Sequence, residues 1–399
     1  MPFDVARIRG QFPALGDGWI HLDGAAGMLA PEQVASAVST AMRAPVSSPG
    51  GKFPASQRAE SIVAAARRAV ADLVGADPSG VVLGSSASVL LRRLGNALTE
   101  KWTIGDEVVV SRLDEPGNQD PWLRAAQRIG AVVRWGEIDI ETCELPAWQY
   151  ENIVSARTKA VALTAASGTV GTRPDVPTVA EFAKKVGALV VVDATYMTPF
   201  VPVDLTALGA DVLAISALSW GGPAVGALVF RDPDLLERLG SVSLEPNARG
   251  PARLELGRHA YPMLAGLVAS VEFLAGLDDA AGGSRRERLL TSLESVKTYT
   301  GHLLARLAAD LHALTHVMVI GDAMRRIPAI AFTVAGRKAS EVVEHLTSRG
   351  VCAFADDGSS GVFASLGVAE VGGAVRIGLA YYSNEFEVNQ LVRALNDIR

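Results

Sequence analysis

The chain has 399 residues, of which 49% are hydrophobic and 20% are charged, so its composition is that of a folded globular protein and excludes a disordered one. A net charge of −6 and only two cysteines argue against nucleic-acid binding, a disulfide framework and a zinc site, so we expect no metal. No apolar run reaches the roughly 18 residues of a membrane span, and no secretory signal is visible, so we expect a cytoplasmic protein without membrane contact.

The middle of the chain alternates strand-like and helix-like segments. The predicted helices are 57–75, with Ser56 as its N-cap, 120–130 and 178–187. The predicted strands are 107–113, 132–138, 159–165, 189–193, 212–216 and 226–230. Because these strands are apolar on both faces and are separated by helices, they predict a mostly parallel sheet with helices on both sides.

After about residue 255 the pattern changes to a smaller α+β unit. Its predicted elements are an almost uniformly apolar helix over 261–277, a long helix over 284–314 interrupted at Gly301, strands over 327–334 and 374–380, and helices over 339–349 and 384–398. We therefore expect an N-terminal segment over 1–20 that packs with the small domain, a large domain over 21–260, and a linking helix with the small domain over 261–399.

Four places carry candidate functional side chains. Gly84–Ser88 joins a strand to a helix, so it either binds an anion or only caps the helix. Asp193 ends a buried strand at the edge where open α/β sheets bind ligands, or caps the next segment. Ser216–Pro223 is a small-residue turn at the same edge. Arg376 lies inside an apolar strand, where spacing alone favours a solvated side chain over one that binds a carboxylate.

The order of these motifs resembles one family over nearly the whole chain. The segments that carry the resemblance are HLDGAAG (21–27), GDEVVVSRLDEPGNQDPW (105–122), GALVVVDATYMTPFVPVDLTALGADVLAISALSWGGP (187–223) and AVRIGLAYYSNEFEV (374–388). They resemble the class V aminotransferases, pyridoxal-phosphate enzymes of fold type I, in the cysteine desulfurase-like branch. The resemblance implies a large domain with a mostly parallel, seven-stranded-type sheet between helices and a smaller α+β C-terminal domain. It also implies a homodimer, pyridoxal 5′-phosphate as cofactor and a small amino-acid-like ligand.

The resemblance also implies functional residues. The cofactor-binding positions are Ser85, Ser86, Ser88, Asn118, Asp193, Tyr196 and Ser216. The serines fall where the family holds the cofactor phosphate, and Asp193 falls where an aspartate pairs with the pyridinium nitrogen. Arg376 falls at the arginine that takes the carboxylate of an amino-acid substrate.

Several positions depart from the family pattern. The departures at cofactor contacts are Ser219 for the Schiff-base lysine, Glu115 for the ring-stacking histidine, Gly168 for an asparagine, Tyr196 for a glutamine or histidine, and Arg258 for the threonine that reaches the partner subunit. A serine hydroxyl cannot form an imine. The loop over 357–372 has no cysteine, so a desulfurase nucleophile is absent, and Cys352 is predicted to be a core residue.

Because the departures cluster on the cofactor, the sequence favours a non-canonical or catalytically silent homologue that binds pyridoxal phosphate noncovalently or not at all. Two alternatives stay open. One is an active lyase, hydrolase or cyclase that acts on an amino-acid-like substrate in a repurposed crevice. Lys52 is a candidate base or nucleophile for it, although its place in a loop favours an ordinary solvated lysine. The other alternative is a dimeric binding or interaction protein.

Overall fold

The computed structural model describes residues 3–398. Its strands are β1 (Ile20–His21), β2 (Val81–Gly84), β3 (Glu107–Ser111), β4 (Val132–Gly136), β5 (Thr158–Thr164), β6 (Leu189–Asp193), β7 (Val212–Ser216), β8 (Gly226–Phe230), β9 (Val317–Ile320), β10 (Ala329–Val334), β11 (Val351–Cys352), β12 (Phe354–Asp356) and β13 (Ala374–Gly378). Its helices are α1 (Val5–Arg9), α2 (Glu32–Arg43), α3 (Pro54–Val74), α4 (Ala87–Thr99), α5 (Pro116–Ile129), α6 (Tyr150–Ile153), α7 (Val176–Lys185), α8 (Asp234–Arg238), α9 (Tyr261–Ala275), α10 (Arg285–His312), α11 (Ala339–Ser348), α12 (Gly361–Ser365) and α13 (Glu385–Asn396).

The large sheet has seven strands in the order β2-β8-β7-β6-β5-β3-β4. Neighbouring strands from β7 to β4 run parallel, and β8 is antiparallel to both β2 and β7. Successive side chains of one strand enter different cores: Val109 of β3 belongs to one hydrophobic cluster, whereas Val108 and Val110 belong to another. Because both faces are covered, the inner strands are mostly apolar, and the predicted mostly parallel seven-stranded sheet is confirmed.

A smaller sheet lies in the C-terminal part of the chain. Its four strands are antiparallel in the order β12-β13-β10-β9, and α10, α11 and α13 pack around a third hydrophobic cluster there. The N-terminal segment contacts this part of the chain, because Arg9 on α1 donates to the Tyr382 carbonyl and to Glu387, each within 2.8 Å. The short strand β1 pairs in parallel with β11, which contains Cys352. Cys352 is half-buried and not the core residue that the sequence predicts.

Two local predictions are wrong. Ser56 is not an N-cap, because α3 begins at Pro54, and the buried Ser56 hydroxyl instead accepts from the Gly51 N–H and donates to the Ser48 carbonyl. Gly301 does not interrupt the long helix, since α10 continues through it to His312. One glycine costs a helix only about 1 kcal/mol, which the buried leucine rows of α10 offset.

The predicted apolar helix runs over Tyr261–Ala275 as α9 and packs against α2, α3 and α10. This packing explains its composition, since residues around its circumference meet other helices. Within residues 3–398, no helix has both the length and the apolar character needed to cross a membrane.

Candidate active-site crevice

The parallel strands place the candidate residues at one edge of the large sheet. Thr164 at the end of β5 lies opposite Asp193 at the end of β6, and Asp193 lies opposite Ala214 in β7. The segments that follow β3, β5, β6 and β7 therefore meet outside the carboxyl ends of the strands, where open α/β sheets form ligand crevices. Arg376 of β13, in the small sheet, reaches the same place and approaches Glu115.

Asp193 is a half-buried carboxylate without a cationic partner in the described part of the chain. Its Oδ1 accepts a hydrogen bond of 2.9 Å from the Thr195 backbone N–H. Burial raises the pKa of Asp193 above its ordinary value, and this outweighs the hydrogen bonds from Thr195 that lower it. A cationic ligand group would relieve this penalty.

Ser219 lies in a single helical turn, residues 217–220, directly after β7. Its side chain is buried, with 6% of the residue exposed, and its Oγ donates to the Ser216 carbonyl at 2.8 Å. The hydroxyl is therefore bonded to its own turn. Gly221 ends the turn at a φ of +81°, a left-handed conformation that favours glycine.

The serine-rich segment after β2 forms the other end of the crevice. Ser86 caps α4 and accepts a 3.2 Å hydrogen bond from the Val89 N–H, whereas Ser85 and Ser88 are exposed. Glu255, which is buried, holds the end of β2 in place by accepting a hydrogen bond from the Leu83 N–H. The cap leaves hydroxyls and the positive end of α4 facing outward, an arrangement that suits an anion.

Charged residues surround this segment. Arg67 and His259 both donate to Glu255, and hydrogen bonding by His259 and the charge of Arg67 hold the pKa of Glu255 low despite its burial. A cavity beside Ser85 is lined by Arg93 and Arg258, of which Arg258 is exposed. The phosphate end of the crevice is therefore positively charged.

Arg376 is surrounded by carboxylates. Its Nη2 lies 4.0 Å from Glu115 Oε1, and its Nη1 lies 3.7 Å from Asp356 Oδ2. Only 22% of its side chain is exposed, so the solvated position favoured by spacing alone is wrong. The physical reason is that β13 is an inner strand, between β12 and β10, with the large sheet's crevice beyond it.

Tyr196 and Gly168 fit together in the crevice. A Cβ added to Gly168 would lie 2.7 Å from the Tyr196 ring atoms Cε1 and Cζ, so the ring fills the space that any side chain at 168 needs. Burial, together with the negative charges of Glu115 and Asp193, raises the pKa of Tyr196 to about 12. The phenol therefore stays neutral at ordinary pH.

Asp114 is a site residue that the sequence analysis missed. It is buried directly beneath the crevice and accepts hydrogen bonds from the Ser111 hydroxyl and, at 2.6 Å, from Asn118 Nδ2. Burial raises its pKa to about 7, with a contribution from the charges of Asp193 and Glu115. Its position shortly after β3 could have identified it from the sequence, because Asp193 was identified by its position at the end of β6.

Two predicted residues lie away from the open crevice. Asn118 is 2% exposed, and its carboxamide nitrogen is bonded to Asp114, so it supports the crevice from beneath. Lys52 is exposed in the loop before α3, with no ion pair or hydrogen bond in the described part of the chain. The structure does not bring Lys52 into contact with Asp193 or Ser219.

Comparison with known proteins identifies the family. The family model for aminotransferase class V matches residues 20–391. The chain belongs to this family. An uncharacterised protein of Mycobacterium tuberculosis is 50% identical over 395 residues, which cover 99% of both chains.

Solved structures agree with this assignment. The crystal structure of the cysteine desulfurase CsdA from Escherichia coli superposes with a TM-score of 0.85 at 25% identity, covering 99% of this chain and 98% of that one. The apo structure of a cysteine desulfurase from Thermococcus onnurineus superposes with a TM-score of 0.88 at 23% identity, covering 100% of this chain and 98% of that one. The class V fold and the resemblance to the cysteine desulfurase branch are confirmed.

The family's cofactor, pyridoxal phosphate, fits one end of the crevice and not the other. The capped N-terminus of α4 and the nearby arginines suit a phosphate. At the ring end, Glu115 offers a carboxylate already directed at Arg376, and Tyr196 fills the space beside Gly168. The residues present therefore do not fit the covalently held ring, and no reaction step is derived through it.

The packing of Tyr196 on Gly168 predicts that the effect on stability of a substitution at one position depends on the residue at the other. We expect Gly168→Ala to lower the free energy of unfolding by about 1–3 kcal/mol, because the added methyl group overpacks the site. In a Tyr196→Ala background the same change should cost much less. Urea denaturation of the four proteins measures both costs. Gly282→Ala is the control, because nothing lies within 4 Å of its added Cβ. Equal costs in both backgrounds would contradict the packing.

Asp114 predicts a pH dependence of stability. Its folded pKa of about 7 lies above the ordinary aspartate value of 3.8, so the stability that its protonated form contributes is complete below pH 3.8 and is lost as the pH rises through about 7. Between pH 3.8 and about 7, the free energy of unfolding of the wild type should fall by up to about 1.4 kcal/mol per pH unit relative to that of Asp114→Asn. Denaturation at several pH values checks this. Asp234→Asn, at an exposed aspartate, is the control. Parallel pH curves for wild type and Asp114→Asn would refute it.

Proposed function

We propose that this chain is a non-canonical class V protein that does not perform Schiff-base chemistry, because Ser219 stands where the family has its lysine. The observation that carries the proposal is the Ser219 side chain itself. It is a buried hydroxyl bonded to the Ser216 carbonyl, in the turn that follows β7 beside Asp193. A hydroxyl at this place has no means of forming an imine with an aldehyde.

The ring end of the crevice supports the same proposal. Glu115, which lies near Arg376, and Tyr196, which packs on Gly168, stand at positions where the resemblance implies a ring-stacking histidine and a glutamine or histidine. Pyridoxal phosphate is therefore bound noncovalently, through the phosphate end, or not at all. The crevice takes a small ligand, and the chain acts in the cytoplasm without membrane or nucleic-acid partners.

One observation favours an active enzyme as the second candidate. Asp114 has a pKa of about 7, so at neutral pH its carboxyl group can both give and take a proton, as a general acid or base must. It lies close enough for the charges of Asp193 and Glu115 to act on it. This candidate is a lyase, hydrolase or cyclase that uses carboxylates and not Lys52.

We also propose that the protein is a homodimer. An apolar groove on α2, lined by Val34, Val38 and Met42 together with Pro223, is open at the surface, and 68% of Met42 is exposed. Leu256, next to the cavity that contains Arg258, is exposed as well. A second copy that covers these residues would bury apolar surface and bring Arg258 towards its partner's crevice.

Light scattering tests the dimer. At micromolar concentration we expect a mass of twice 41.7 kDa for the wild type and a substantial monomer fraction for Met42→Glu, because a charge would enter the interface. Met318→Glu is the matched control, since Met318 is exposed on the edge strand β9 of the small sheet. A monomeric wild type would refute the dimer.

Borohydride reduction followed by peptide mass spectrometry tests the main proposal. After incubation with millimolar pyridoxal phosphate, the wild type should carry no lysine adduct within the crevice. Ser219→Lys should gain one at position 219, but only at high cofactor concentration, because each missing hydrogen bond to a charged group costs about 1.5–3 kcal/mol.

The control for this experiment is Ser219→Ala, which removes the hydroxyl and offers no amine. A stoichiometric adduct on the wild type would overturn the proposal, and if that adduct lay on Lys52 it would favour a repurposed enzyme that uses this lysine in place of the carboxylates. A folded Ser219→Lys protein without any adduct would show that the ring end is closed, which favours a dimeric binding or interaction protein.

A further inference from the structure

Arg376 is a cation that the crevice offers to a ligand, and two carboxylates already lie within ion-pair distance of its guanidinium. Two protein carboxylates face its guanidinium from different elements: Glu115 at the start of α5, at 4.0 Å, and Asp356 at the end of β12, at 3.7 Å. The Arg376 Nε is buried and has no hydrogen-bond partner in the described residues. A guanidinium binds one carboxylate through two parallel hydrogen bonds, so these groups compete with any ligand carboxylate.

We propose that Glu115 is the specificity-determining residue of this crevice: by occupying Arg376 it excludes ligands with a carboxylate and selects amines that lack one. The inference rests on the proposed function in one respect, namely that the crevice takes a small ligand. It names the chemical class of that ligand, a carboxylate-free primary amine in its protonated form.

Glu115 is held in place independently of Arg376. Its Oε1 accepts a hydrogen bond from the hydroxyl of Thr169, a buried residue that follows β5. Its backbone is extended immediately before Pro116, which opens α5, the conformation to which a residue before a proline is restricted. The carboxylate is thus positioned by the large domain's own packing, and a ligand that needed Arg376 would first have to break the Thr169 hydrogen bond.

The charges around Arg376 and Asp193, away from the arginines near Ser85, favour a cation. Glu115 and Asp356 together offset Arg376, which leaves a net negative charge before Asp193 is considered. Asp193 adds a carboxylate that receives hydrogen bonds from Thr195 and no ion pair. An incoming carboxylate would meet repulsion from Glu115, Asp356 and Asp193, whereas an ammonium group would give Asp193 a cationic partner, which it does not have among the described residues.

Titrations of the wild type and Glu115→Gln with propionate and ethylamine test the inference. Both probes carry an ethyl group, and their charges are opposite. Ligand-detected NMR measures the affinity of each probe without any cofactor. We expect the wild type to bind ethylamine more tightly than propionate. In Glu115→Gln the affinity for propionate should rise by about 10- to 100-fold, the worth of one charge-assisted hydrogen bond.

Glu137→Gln is the matched control, because Glu137 is an exposed glutamate that pairs with Arg112 outside the crevice. Thr169→Val should give a smaller rise in propionate affinity, since it frees Glu115 without removing its charge. If Glu115→Gln gains no affinity for propionate, or if the wild type prefers propionate to ethylamine, the inference is wrong. The wild-type preference decides the matter even if the variant does not fold. Neither outcome depends on a lysine adduct. If this inference fails, the main proposal is therefore still tested separately by borohydride reduction.

Discussion

The parallel order of β7, β6, β5 and β3 is the constraint on which the rest of the site depends. Parallel strands end at the same edge of a sheet, so the residues that follow each of them must meet there. Asp193 and Ser219 arrive in the crevice in this way, as do Glu115 and Gly168 from the other two strands. The strands behind them are apolar and closely packed, and the crevice can therefore change its chemistry while the fold stays the same.

Several side chains of the crevice fit one another in shape and charge. Gly168 leaves a space, and the Tyr196 ring fills it. Glu115 adds a negative charge beside Arg376, a cation that needs a partner at its low exposure. Both pairs favour stability, because an unfilled space and a poorly partnered buried charge each lower it.

The sequence predicted the fold well and the site in part. Valine-rich segments separated by helices specify a parallel sheet by themselves, and a carboxylate after such a strand marks the crevice, as Asp193 shows. The setting of Arg376 could not be predicted, because the charges that surround it come from β12 and from the start of α5, which only the folded chain brings together. Gly301 shows the same limit, since the packing of α10 outweighs a local preference.

The most direct test of this account is a crystal structure of the wild-type protein grown with millimolar pyridoxal phosphate. The account predicts that Tyr196 remains packed on Gly168 and that Glu115 remains beside Arg376, with any bound cofactor held only at the capped end of α4. Density for a pyridine ring stacked in the crevice above Asp193 and linked to a lysine, with Tyr196 and Glu115 displaced, would contradict it.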